Sequence, residues 1–142
     1  MNNHSIEVKV TFRAGHRLMA PYKGKCNNPH GEGYTAIFLF SSPCLNDCDM
    51  VADFGEIKKQ IKEWIDNNLD HSYMYKQGDE VGEFLKAKGY KVYKMLDNPT
   101  AEKIAKLLYC MMKNKLPKLQ KVGVIESFDD SIAWFEERKE AL

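Results

Sequence analysis

A chain of 142 residues, 44% hydrophobic and 29% charged, is long enough to bury a real core and too apolar to stay disordered. Its net charge of +1 gives no reason to expect nucleic acid or an acidic membrane surface as a partner, so any anionic ligand has to be met by a local pocket. The opening MNNHSIEVKVTFRAGH has no basic region ahead of an apolar run, and no segment nears the roughly 18 apolar residues of a membrane helix. Four cysteines are too few to staple a chain this long, so reduced thiols in the cytoplasm are the expectation.

IEVKVTF alternates, with Ile6, Val8, Val10 and Phe12 on one face and Glu7, Lys9 and Thr11 on the other, which is the period of a half-buried strand. Ala14 and His16 share the buried parity, so His16 points inward if the strand runs on without a bulge. A second strand is expected from about Tyr34 to Phe40, antiparallel to the first across RLMAPYKGKCNNPHGEG. DFGEIKKQIKEWIDNNL predicts a helix: Phe54, Ile57, Ile61, Trp64 and Ile65 recur at helical spacing, and Asp53 with Glu56 forms a capping-box pattern. A short helix over Glu80–Lys88 closes on Gly89, and YKVYKML reads as extended. A longer helix starts near Pro99–Thr100 with Ile104, Leu107, Leu108 and Met111 on one face. KVGVIESF reads as a strand, and SIAWFEE as a strand or closing helix. This order predicts one α+β domain over residues 1–142, an antiparallel sheet covered by helices on one face.

Several residues could carry chemistry. In CNNPHGEGY, His30 and Glu32 are two apart, so an extended backbone sends both side chains from the same face, within reach of His16 from the neighbouring strand. Two histidines and a carboxylate make a zinc arrangement with an open position; a plain surface turn is the alternative. Cys26 is either a thiol base in a polar loop or a spacer. Cys44 and Cys48 have no second pair and read as structural, and Cys110 as a core residue of its helix. Asp70–His71 could orient an imidazole for proton transfer, or simply close a helix favourably. Glu126 has the parity of Val122 and Val124, so it is either a buried carboxylate awaiting paired N–H donors or an exposed strand end.

Taken in order, F-x-A-x-H at Phe12 to His16, C-x-x-x-H-G-E at Cys26 to Glu32, DFGEIK, LDH at 69–71, NPTAE at 98–102 and VIES at 124–127 resemble the 6-pyruvoyl-tetrahydropterin synthase and 6-carboxytetrahydropterin synthase family. The resemblance covers nearly the whole chain. It implies a tunnelling fold whose trimers close a barrel, often paired into hexamers, and a zinc enzyme acting on 7,8-dihydroneopterin triphosphate at subunit interfaces. Carried over by position, it implies that His16 and His30 hold Zn2+, with Glu32 where the family usually has a third histidine. It likewise implies a catalytic role for Cys26, proton shuttling by Asp70 and His71, a grip on the pterin by Glu126, and a pocket lined by Thr100 and Glu102. The short gap between cysteine and histidine resembles that of the carboxy-forming members, on a queuosine or deazapurine route. A pyruvoyl synthase, a related dihydroneopterin lyase, and a pterin-binding homologue impaired by Glu32 stay open. A solvated insertion over residues 72–96 is the second departure from the family pattern.

Overall fold

The computed structural model describes residues 3–138. The alternating opening segment forms β1 (His4–His16), which buries Val8, Val10, Phe12, Ala14 and His16 on one face. Antiparallel to it runs β2 (His30–Ser42), longer than its apolar core suggests because the pairing continues without a bulge from His4↔Ser42 to His16↔His30. Tyr34, Ala36, Phe38 and Phe40 therefore share the buried face with the β1 residues opposite them.

Helix α1 (Phe54–Asn68) begins at Asp53, whose side chain accepts from the Glu56 N–H at 2.9 Å. It lays Ile57, Ile61 and Ile65 against the sheet, each fully buried isoleucine contributing about 1.5–3 kcal/mol. Helix α3 (Ala101–Met112), capped by Thr100, covers β5 (Leu119–Glu126) and β6 (Ala133–Glu136) on the same face. Its buried stripe is Ile104, Ala105, Leu108, Tyr109 and Met112. This stripe turns Met111 and Cys110 outward, so Cys110 is exposed rather than part of the core. Cys44 and Cys48 are exposed too: the Asn46 side chain accepts from the Cys48 and Met50 N–H groups and holds that loop without using either thiol.

Residues 72–96 correct the sequence reading most. The expected short helix and extended run are present as α2 (Glu80–Ala87) and β4 (Val92–Met95), but an unforeseen strand, β3 (Tyr73–Lys76), binds the segment into the sheet and buries part of it, so it is not simply solvated. Strand β3 pairs parallel with both β1 and β4, so the six-stranded sheet, ordered β4-β3-β1-β2-β5-β6, is mixed and not antiparallel throughout. The helices do not share one face either. Met74 is in register with His16 and joins the core beneath α1, whereas Tyr73 and Tyr75 leave by the other face, where α2 covers them. Gly82 permits that approach, since a Cβ there would lie 2.1 Å from the Tyr75 ring. Gly89, at φ +83°, ends the helix as expected. No described helix is long and apolar enough to cross a membrane.

Candidate metal centre and ligand pocket

The β1–β2 register brings His16 and His30 face to face, and strand parity adds Glu32 on the same side. Their nearest ligand atoms all lie within 4.8 Å of one another. Each imidazole is fixed through Nδ1, His16 to the Pro99 carbonyl at 2.9 Å and His30 to the Asn28 carbonyl at 2.7 Å. A carbonyl oxygen only accepts, so Nδ1 carries the proton in both rings, a tautomer assigned from the hydrogen bonds. The two Nε2 atoms are then left with lone pairs pointing at each other across 3.2 Å, while Glu32 Oε1 stands 3.1 Å from His30 Nε2. Two lone pairs and a carboxylate converging in this way repel unless a cation lies among them.

Zinc meets that requirement. Nitrogens sharing a tetrahedral ion at Zn–N of about 2.0–2.1 Å sit roughly 3.3–3.4 Å apart, close to the spacing found here. Burial holds His16 below its usual pKa, against the opposing pull of the Pro99 carbonyl, and so favours the neutral form a metal needs. Backbone carbonyls behind both imidazoles are the usual support for metal-binding histidines. The Ser127 hydroxyl donates to the other oxygen of Glu32, steering Oε1 toward the histidines.

Around this cluster lie two more of the expected residues. Cys26 sits in a short turn, Lys25–Asn27, whose Cys26 carbonyl accepts from Leu18 N–H at 2.7 Å. The loop is clasped to α3 by Asn98, which accepts from the Met19 N–H at 2.8 Å and donates to the Met19 carbonyl at 3.1 Å. Glu126, at the end of β5, is opposite Tyr34 and half-buried. Burial raises its carboxyl above the ordinary range, and the charges of Glu32 and Glu102 add to this. The Tyr34 phenol, on the same face as His30 and Glu32, is raised chiefly by burial and further by the charges of Glu126, Glu32 and Cys26.

The remaining expected residues are placed differently. Thr100 uses its hydroxyl oxygen to cap α3, accepting from the Lys103 N–H, and Glu102 is exposed on the first turn of that helix. Asp70 accepts from the Arg13 N–H at 3.0 Å and from His71 Nδ1 at 2.9 Å, and these contacts outweigh burial to hold its carboxyl below the usual value. The exposed His71 and its aspartate line a groove of about 990 Å³ with Arg13, Glu32, Ser127 and Phe128. That groove lies along the sheet face left open by α1 and α3. Neither Cys26, His16 nor His30 lines it.

Residues 5–138 match the family model described as 6-pyruvoyl tetrahydropterin synthase. The chain belongs to this family. It is 40% identical over 114 residues to the 6-carboxy-5,6,7,8-tetrahydropterin synthase of Rickettsia bellii, covering 78% of this chain and 79% of that one. Its fold is similar to the crystal structure of an uncharacterized Wolinella succinogenes protein, with a TM-score of 0.84 at 20% identity over 97% of this chain and 100% of the other. The 6-pyruvoyl tetrahydropterin synthase structure from Caenorhabditis elegans gives 0.72 at 24% identity, covering 97% and 98%.

As a member of the 6-pyruvoyl tetrahydropterin synthase family, the chain carries supports that the sequence reading missed. Asn28 and Pro99 act through backbone carbonyls, which no side-chain pattern reveals. Ser127 lies within the VIES motif but drew no role there. Arg17 follows His16 and reaches into residues 72–96, where Asp79 accepts from its Nε at 3.1 Å and from Nη2 at 2.7 Å. Tyr34 was readable in principle, since it continues the His30–Glu32 parity.

Proposed function

We propose that the protein is a zinc-dependent lyase of the 6-carboxy-5,6,7,8-tetrahydropterin synthase type, converting 7,8-dihydroneopterin triphosphate with loss of triphosphate and acetaldehyde. The observation that carries this reading is the pair of opposed imidazole lone pairs with the Glu32 carboxylate beside them. The 40% identity to a relative of that name supports the choice of product.

In this reading His16, His30 and Glu32 hold Zn2+, which supplies Lewis-acid polarisation of the substrate's side-chain oxygens. The Cys26 thiolate takes the proton from the adjacent carbon. Glu126 accepts two N–H bonds from the edge of the pterin ring and fixes the distance between that ring and the reacting side chain. Thr100 and Glu102 border the ring site. His71, oriented by Asp70, returns a proton. Because this pair lines the groove on the open sheet face, it serves the pocket of a neighbouring copy. The working form is thus a cytoplasmic trimer or hexamer in which sheets join edge to edge, β4 and β6 being the free edges of the single chain.

Glu32 favours a second reading, a pterin-binding protein with slow chemistry, because an anionic ligand lowers the Lewis acidity of the ion. One experiment separates the two: metal content of chelator-free protein, with 7,8-dihydroneopterin triphosphate turnover followed for acetaldehyde and for triphosphate. Acetaldehyde release bears out the carboxy-forming lyase. Triphosphate release without acetaldehyde points to the pyruvoyl-forming reaction, and stoichiometric metal with neither product leaves the binding protein.

A further inference from the structure

Tyr34 is 1% exposed, yet its hydroxyl has no hydrogen-bond partner among the described residues. Buried phenols are normally paired, and leaving one bare is unfavourable. The ring is not free to swing toward a partner: it stacks on Phe12 with centroids 5.0 Å apart and meets His16 edge-on at 5.9 Å. Its Cβ leaves β2 on the same face as His30 and Glu32, and its Cα is in register with Glu126 on β5. Tyr34 thus stands on the face that carries the His16–His30–Glu32 cluster, beside Glu126 on the next strand, and its hydroxyl bonds none of the described residues.

We infer that the Tyr34 hydroxyl is a ligand-positioning group, donating its proton to an acceptor on the bound heterocycle whose N–H edge Glu126 holds. This rests on the pterin reading of the pocket and adds a second polar point to it. A ligand satisfying both residues presents N–H donors and a neighbouring acceptor, the combination on an aminopyrimidinone ring. A simple anion satisfies Tyr34 but is repelled by Glu126, and a hydrocarbon satisfies neither. The aromatic pair of Phe12 and Tyr34 then forms the floor of the pocket, with its single polar atom turned toward the ring.

The test is Tyr34→Phe in the full chain, titrated with neopterin in metal-free and zinc-loaded forms, with zinc stoichiometry and melting temperature measured alongside. Neopterin affinity is expected to fall roughly tenfold, the loss of one hydrogen bond, with zinc stoichiometry unchanged. The ligand-free variant is expected to melt no lower than wild type, since the hydroxyl removed had no partner. Equal neopterin affinity in the two proteins overturns the role of Tyr34 and leaves the pterin reading standing. A lower melting temperature with unchanged affinity overturns it too, by showing that the hydroxyl is bonded inside the protein. Wild-type protein that binds no neopterin overturns the pterin reading itself, and Tyr34's role with it.

Discussion

The Arg17 guanidinium lies 2.7 Å from Oδ1 of Asp79, a carboxylate with no exposed side-chain surface that also accepts from Tyr73 Oη and the Val81 N–H. Arg17 is the residue after His16, so this contact ties the β3–α2 turn to the point where β1 delivers its imidazole. Breaking a buried, fully bonded pair strands the surviving charge. Asp79→Ala is therefore expected to cost about 3 kcal/mol of stability, measured by urea denaturation, and to weaken zinc binding in a chelator competition. The three contacts outweigh burial and hold the Asp79 carboxyl below its ordinary 3.8. Its contribution is thus fully present above that pH and is lost as pH falls below it.

Replacing Glu32 tests the metal. Glu32→His is expected to raise turnover by about tenfold, because a neutral third ligand leaves the ion the stronger Lewis acid. Glu32→Ala is expected to lower zinc affinity instead. Turnover unchanged in the histidine variant would show that the glutamate does not limit the chemistry.

Cys26→Ala should retain zinc and neopterin binding while turnover falls by about 10²–10⁴, the usual worth of a positioned proton acceptor. His71→Ala should behave alike. If His71 serves a neighbour's pocket, unfolding and refolding the two variants together at equal ratio restores about a quarter of wild-type activity, from interfaces that join an intact cysteine to an intact histidine. A mixture as inactive as its components would place both groups in one subunit's site.

Glu126 links stability to ligand binding. Its folded pKa is raised above the ordinary 4.5, so the folded chain tolerates the neutral form and is penalised as the group ionises. Glu126→Gln is therefore expected to melt higher than wild type at pH 7 and to lose that advantage as pH falls toward 4.5. Its neopterin affinity should drop by about 10², since two charge-assisted bonds are weakened. A pH-independent difference in melting would mean that the carboxylate is not strained by its surroundings.

The parts of this architecture readable from sequence are those where one face is buried and the other wet. β1, α1 and the start of α3 announce themselves because alternation or helical spacing marks the buried side. The same parity also pointed to His16, His30 and Glu32 as neighbours. Strand β3 left no such mark: Tyr73, Met74 and Tyr75 are buried on both faces, so apolar residues run together and the strand looks like any short hydrophobic patch. Missing it hid the parallel pairings and placed all helices on one side. Cys110 faces outward, against the expectation of a core residue, because Ala105 and Tyr109 rotate the buried stripe of α3 away from it.

The longest ladder in the molecule ends at the pair His16↔His30, and the polar loop leaves from that rung. A slip of one residue along this ladder would send His30 and Glu32 to the opposite face. An ion gripped by both strands, as proposed, would act as a clasp on the loop end of the hairpin, opposing slippage where Gly15, Gly31 and Gly33 offer no side chains to do so. Chelation should then quicken amide exchange at Gly15, Gly31 and the turn around Cys26, while the rungs from Val8 to Phe12, locked by packing, stay closed.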